Sequence, residues 1–262
     1  MSFFNPNENA TQYSSPVSVP SIDINRTMKF VYVWMGFGLL TTAMVAWIVA
    51  NNDALLSLSA NPVMGILTLV VLLGVAFGMT AGMTREWMTP NVAAGMFFAF
   101  AALMGFSLSI TLFAFLSPTI TTAAGEVVAN PMYDPGAIYG AFGTASGLFA
   151  AMTFIGFTTT MDLTKLGTYL MMGLIGLVIA MVINIFIGSG TLGFIISIAG
   201  VIIFTGLTAY DTQKIKQMST MPQFQENGDM AMKFSIMGAL TLYLDFINLF
   251  LFLLQIFAMS RD

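Results

Sequence analysis

Neither cysteine nor histidine occurs anywhere in the 262 residues. Without cysteine there are no disulfides, no thiolate nucleophile and no cysteine metal site. Without histidine the usual side chain for sensing physiological pH is missing, so any pH sensing falls to carboxylates. Charge is scarce as well: Asp, Glu, Lys and Arg make up 8% of the chain, and the net charge of −4 says little about partners. No basic patch is present, which argues against nucleic acid as a ligand. Catalytic motifs are equally absent. There is no GxxxxGK[ST], no HExxH and no Ser/His or Cys/His pair. The last apolar run has no interior lysine for a retinal Schiff base, and no GxGD-type context marks an intramembrane aspartyl hydrolase. The chain reads as a protein that is not an enzyme and carries no cofactor.

What the sequence has is oil. Hydrophobic residues make up 57% of it, and the mean hydropathy is +0.87. Apolar stretches of about 20 residues, long enough to cross a bilayer, recur along its length. Seven spans are expected, at 29–50, 62–84, 91–116, 136–158, 167–188, 191–211 and 233–259. The fold class is therefore all-α, a polytopic membrane protein. Breaks fall at Asn51-Asn52-Asp53, Thr89-Pro90-Asn91, the polar loop 117–135, the turn Ser189-Gly190 and the polar connection 221–229. The organisation expected is a flexible cytoplasmic tail over 1–28 followed by a seven-helix domain over 29–262. The tail is rich in Ser, Asn and Pro. It lacks the basic start and short apolar core of a secretory signal, so the first span serves as an uncleaved insertion signal.

Charge placement supports this layout. Arg26, Lys29, Arg85, Lys165, Lys214, Lys216 and Lys233 fall at the tail or in alternate loops, and only Arg261 departs from the pattern. The opposite loops 51–61, 117–135 and 189–190 contain no Lys or Arg. By the positive-inside rule the N-terminus is cytoplasmic and the C-terminus outside. Small residues recur at four-residue spacing, Ala101, Gly105 and Ser109 on the third span and Gly143, Gly147 and Ala151 on the fourth. Both stripes read as close helix packing. The 22 Met residues read as adaptable filler. No internal repeat of the inverted-transporter kind is visible.

Against this background two aspartates stand out, Asp211 in TAYDTQKIK and Asp245 in LTLYLDFINLFLFLL. A carboxylate at the centre of a span costs roughly 2.5–3.5 kcal/mol on insertion scales, which makes it a candidate functional group. If the last span is anchored at Met259, Asp245 lies about 9 Å inside the cytoplasmic face, level with Asp211. If it is anchored at Lys233, the two do not meet. Where they meet, two carboxylates in a poorly polarisable site share a proton and titrate in separate steps, a pH sensor without histidine. Asn248, three residues after Asp245, lies on the same helix face as a candidate ligand or hydrogen-bond partner. Paired carboxylates with amide and carbonyl oxygens suit a hard cation such as calcium. Two blander readings stand beside this. Asp211 could be an interfacial residue neutralised by Lys214, with Lys216 snorkelling nearby. Arg85 is either a positive-inside anchor or a counter-charge for the pair. Asp53, Glu126 and Asp134 read as solvated loop acids. Asn184, Gln255 and the span tyrosines read as interhelical hydrogen-bond partners.

At GLTAYDTQKIKQM (206–218) and ALTLYLDFINLFLFLLQIF (239–257) the chain resembles the Bax inhibitor-1 family, also called the transmembrane Bax inhibitor motif family. AALMGFSLSITLF (101–113) agrees more loosely, and the hydrophobic layout corresponds over about 30–260. The resemblance implies a bundle with the seventh helix central. It also implies a calcium leak regulated by pH through two aspartates, here Asp211 and Asp245, and latched by an arginine of the second span, here Arg85. Eukaryotic relatives restrain apoptosis, and some bacterial relatives modulate a membrane-bound protease. This chain looks like a bacterial member, sited in the plasma membrane. It departs from some calcium-conducting relatives in having no acid within 62–84.

Two functions follow as expectations. One is a pH-sensitive calcium leak, opened when protonation of Asp211 and Asp245 weakens their grip on Arg85. The other is a non-transporting regulatory protein that binds and modulates another membrane protein, with the tail as docking element.

Overall fold

The computed structural model describes residues 24–122, 125–221 and 228–259. Among them are eight helices: α1 Ile24–Ala50, α2 Asp53–Ser59, α3 Pro62–Gly82, α4 Pro90–Leu116, α5 Pro135–Thr158, α6 Thr164–Ile187, α7 Gly190–Ser219 and α8 Gly228–Met259. Seven of these, all but α2, are long and apolar enough to cross a membrane. Residues 1–23 of the expected tail lie outside the described residues. Helix α1 starts at Ile24, inside the expected tail.

The helix starts follow from local chemistry. Asn61, Thr89 and Asp134 each precede a proline and accept a backbone N–H of the new first turn, from Val63, Val92 and Ala137 respectively. Proline fits there because its missing N–H would have no partner in that turn anyway. Ser189 caps α7 in the same manner through Leu192 N. Gly188, at φ +67, ends α6 in the left-handed conformation that glycine reaches without steric cost.

Two connecting segments carry more structure than a loop. Asn52 caps the short helix α2 within 51–61. Within 117–135, β1 (Thr119–Thr121) pairs antiparallel with β2 (Val127–Ala129). Asn130 ties this hairpin down, donating to Ala114 O and Ser117 O at 2.7 and 2.8 Å.

Helix α8 is the axis. It packs against α1, α4, α5 and α7, and most of its residues from Phe234 to Leu254 are buried. The last span is thus central, as the resemblance implied. Helix α6 lies at the opposite extreme, packed on α7 with Phe186 85% exposed. Large apolar side chains such as Trp47, Phe77, Phe154 and Ile185 also stand on the perimeter. A surface this apolar suits lipid and not water.

The two small-residue stripes part company. Ala101, Gly105 and Ser109 are buried, and a Cβ on Gly105 would sit 2.5 Å from the Thr42 carbonyl oxygen of α1. That stripe is a packing seam, as expected. Gly143, Gly147 and Ala151 are exposed, and a Cβ on either glycine would meet nothing within 4 Å. The expectation of close packing there is corrected: α5 buries Ala137, Ala141, Ala145 and Phe149 instead.

Candidate functional site

The site is built where α7 lies along α8. Helix α7 runs eight residues past the expected end of its span, to Ser219, so Asp211 sits within a continuous helix. Asp245 occurs midway along the buried stretch of α8. The two carboxyl groups come within side-chain hydrogen-bonding reach of each other. A hydrogen bond between two carboxyls exists only when one carries the proton. Asp245 is 4% exposed, and its Oδ2 is enclosed without a hydrogen-bond donor. Asp211 is half-buried. Of the two anchorings open from sequence, this is the one that brings the aspartates together.

Cations border the site unevenly. Lys214, one turn beyond Asp211, is the positive charge acting on it; its exposed ammonium stands 5.8 Å from the centre of the Tyr210 ring. Lys216 is committed elsewhere, donating to Phe157 O at 2.7 Å across the end of α5. Arg85 is exposed in the turn between α3 and α4 and is not brought to the aspartates. That corner packs through Met79, Met83 and Met88 beside Lys233 and Met237 of α8, about 12–18 Å along the helix from Asp245 at 1.5 Å per residue. Asn248 is half-buried and spends its amide N–H on Leu244 O of its own helix at 2.8 Å.

Other polar groups frame the site, with less warning of them in the sequence. Gln213 fastens the turn between α5 and α6, accepting from Leu163 N at 2.9 Å and donating to Met161 O at 2.7 Å. Tyr243, two residues before Asp245, is fully buried; its hydroxyl lies 2.7 Å from Thr42 Oγ1, which in turn lies 2.9 Å from Ala101 O. Phe97 and Phe100 meet the Tyr243 ring edge-on. This arrangement fixes α8 against α1 and α4 next to the carboxylates. Its signal was the general rule that span tyrosines bridge helices, which also holds for Gln255, bonded to Ser197 at 2.7 Å. Asp134 serves as the cap of α5.

No cluster of three or more acidic side chains that could hold a metal occurs among the described residues. A divalent cation at this site would therefore use the two aspartates and neutral oxygens. Chemically the arrangement can hold a proton, or a cation in its place, between two carboxyls inside an apolar bundle.

The comparison with known proteins now decides the family. The family described as inhibitor of apoptosis-promoting Bax1 matches residues 24–262. This chain belongs to the Bax inhibitor-1 family. Its relatives include the inner membrane protein YbhL of Escherichia coli, 37% identical over 249 residues that cover 95% of this chain and 97% of that one. A protein of Deinococcus radiodurans is 37% identical, covering 92% of this chain and 94% of its own length. One of Borreliella burgdorferi is 35% identical over 91% and 94%. Family membership and the seven spans together make the chain an integral membrane protein.

Proposed function

We propose that this Bax inhibitor-1 family member is a pH-sensitive calcium leak gated by Asp211 and Asp245, seated in a bacterial inner membrane with its N-terminus cytoplasmic and its C-terminus outside. The observation that carries this reading is the mutual approach of the two carboxyls inside the central helix packing. A buried acid pair without a local arginine or lysine on α8 is expensive in a membrane and is characteristic of ion and proton pathways. Ionised, the pair holds a counter-cation; protonated, it loses that hold. Lys214 supplies the cation in this conformation, and Arg85 would do so once the α3–α4 corner closes toward α7. The sign follows: flux rises as pH falls, because each proton added weakens the grip that keeps the pathway shut.

The test is calcium flux into proteoliposomes between about pH 5 and 8, the window in which histidine would ordinarily act. The parent should leak more at the acid end. Asp211→Asn and Asp245→Asn, which mimic the protonated state, should each flatten the curve. If the double substitution leaves it unchanged, the mechanism is wrong.

The absence of any acid along α3 favours a second reading, a non-transporting regulator that binds another membrane protein. It predicts flux-silent vesicles, a stable co-purifying partner and loss of the effect on that partner when the N-terminal tail is deleted.

A further inference from the structure

A cleft of about 580 Å³ opens on the perimeter between α1 and α5. Met28, Lys29 and Phe157 form one end, and Phe149, Ala150 and Phe154 form the other. Helix α1 advances from Lys29 to Tyr32 while α5 runs the opposite way from Phe149 to Phe157. The cleft therefore has a cationic end at the bundle's edge and an apolar end about 12 Å deeper. Its wall is almost wholly apolar, and no acidic residue lines it among the described residues. A second positive charge stands at the same edge, Lys216, bonded to Phe157 O. The floor is formed by Tyr32 and Thr153, whose hydroxyls are buried and face Thr212, the neighbour of Asp211, without closing a well-formed hydrogen bond.

We propose that this cleft seats an acyl chain of an anionic phospholipid whose phosphate rests on Lys29. Three features select that occupant. The opening lies on the lipid-facing perimeter of a membrane-spanning bundle, where the surrounding solvent is hydrocarbon. Among the described residues of its lining the only charge is positive and sits at one end, matching a phosphate at the head of an apolar tail. The polar atoms of the floor are turned away from the cleft, so its inner surface offers a chain nothing to desolvate. Tyr32 and Thr153 line the seat and reach Thr212, next in sequence to Asp211, so the seat adjoins the helix that carries one of the aspartates.

Native mass spectrometry of the purified full chain, titrated with dioleoylphosphatidylglycerol or dioleoylphosphatidylcholine, tests this. The parent should retain one phosphatidylglycerol more tightly than any phosphatidylcholine. Ala150→Trp fills the cleft from an exposed position, and circular dichroism would verify its fold; it should lose that one tight lipid. Lys29→Gln should weaken phosphatidylglycerol about fivefold, the effect of one basic residue near a lipid surface, and abolish the preference. Equal retention by parent and Ala150→Trp, or no headgroup preference in the parent, would overturn the proposal. Lipid counting involves no ion flux, so it stands or falls apart from the calcium reading.

Discussion

Asp245 Oδ2 is a carboxyl oxygen of the central helix enclosed without a hydrogen-bond partner. An unpaired buried polar group costs about 1–3 kcal/mol, more if charged. Asp245→Asn keeps the shape and puts an N–H donor beside Asp211, so the folded bundle should be at least as stable as the parent. Its stability should also vary less with pH. In the parent, ionising the second carboxyl places two negative charges side by side, and the melting temperature in detergent should fall as pH rises between about 5 and 8. A melting curve for Asp245→Asn as steep in pH as the parent's would contradict this. Tyr243→Phe is the milder case. Thr42 keeps Gly38 O and Ala101 O as acceptors, so the loss should be near 0.6 kcal/mol, typical for one interhelical bond in a membrane protein, read by unfolding in mixed micelles.

At the scale of elements, the two glycine stripes make opposite predictions. Gly105→Ala drives a methyl against the backbone of α1 and should destabilise by about 1–3 kcal/mol, the usual cost of overpacking. Gly147→Ala projects into open space and should leave stability unchanged or slightly raised, by the same unfolding measurement. Gln213→Ala frees the 159–163 turn from both of its ties and should speed amide hydrogen exchange there while leaving the cores of α5 and α6 protected.

These contrasts also show what the sequence could express. Span ends were legible because they are chemical: Asn51-Asn52-Asp53, Thr89-Pro90 and Ser189-Gly190 stop or start a helix by cap and backbone preference. The extension of α7 was not, because Lys214 and Lys216 end the apolar run without ending the helix. The facing of the α5 stripe was not, since small residues four apart look alike whether they meet a neighbour or lipid. The approach of Asp211 to Asp245 was legible only as one of two depths, a choice that long-range packing of α8 makes. The position of Arg85 was open for the same reason: a charge beside a turn can swing either way from its span.

For the whole molecule, the cysteine-free sequence permits a direct topology test. A single cysteine at Ser57, exposed next to α3, should react with a membrane-impermeant maleimide in intact cells. One at Thr84, exposed beyond the other end of α3, should react only after permeabilisation. The reverse pattern would invert the proposed orientation and with it the side from which the aspartates meet protons.

The helices are also unequal in reach. Helix α3, with 21 residues, measures about 32 Å, close to a hydrocarbon core of about 30 Å. Helix α8, with 32 residues, measures about 48 Å. The bilayer therefore grips α3 flush and the axis of the bundle with length to spare. A membrane of different thickness tilts or shifts the short helices first, and one residue of axial slip, about 1.5 Å, is half a hydrogen-bond length at the carboxyl contact. Acyl-chain length becomes a coordinate of the site itself, to be held constant before fluxes from two vesicle preparations are compared.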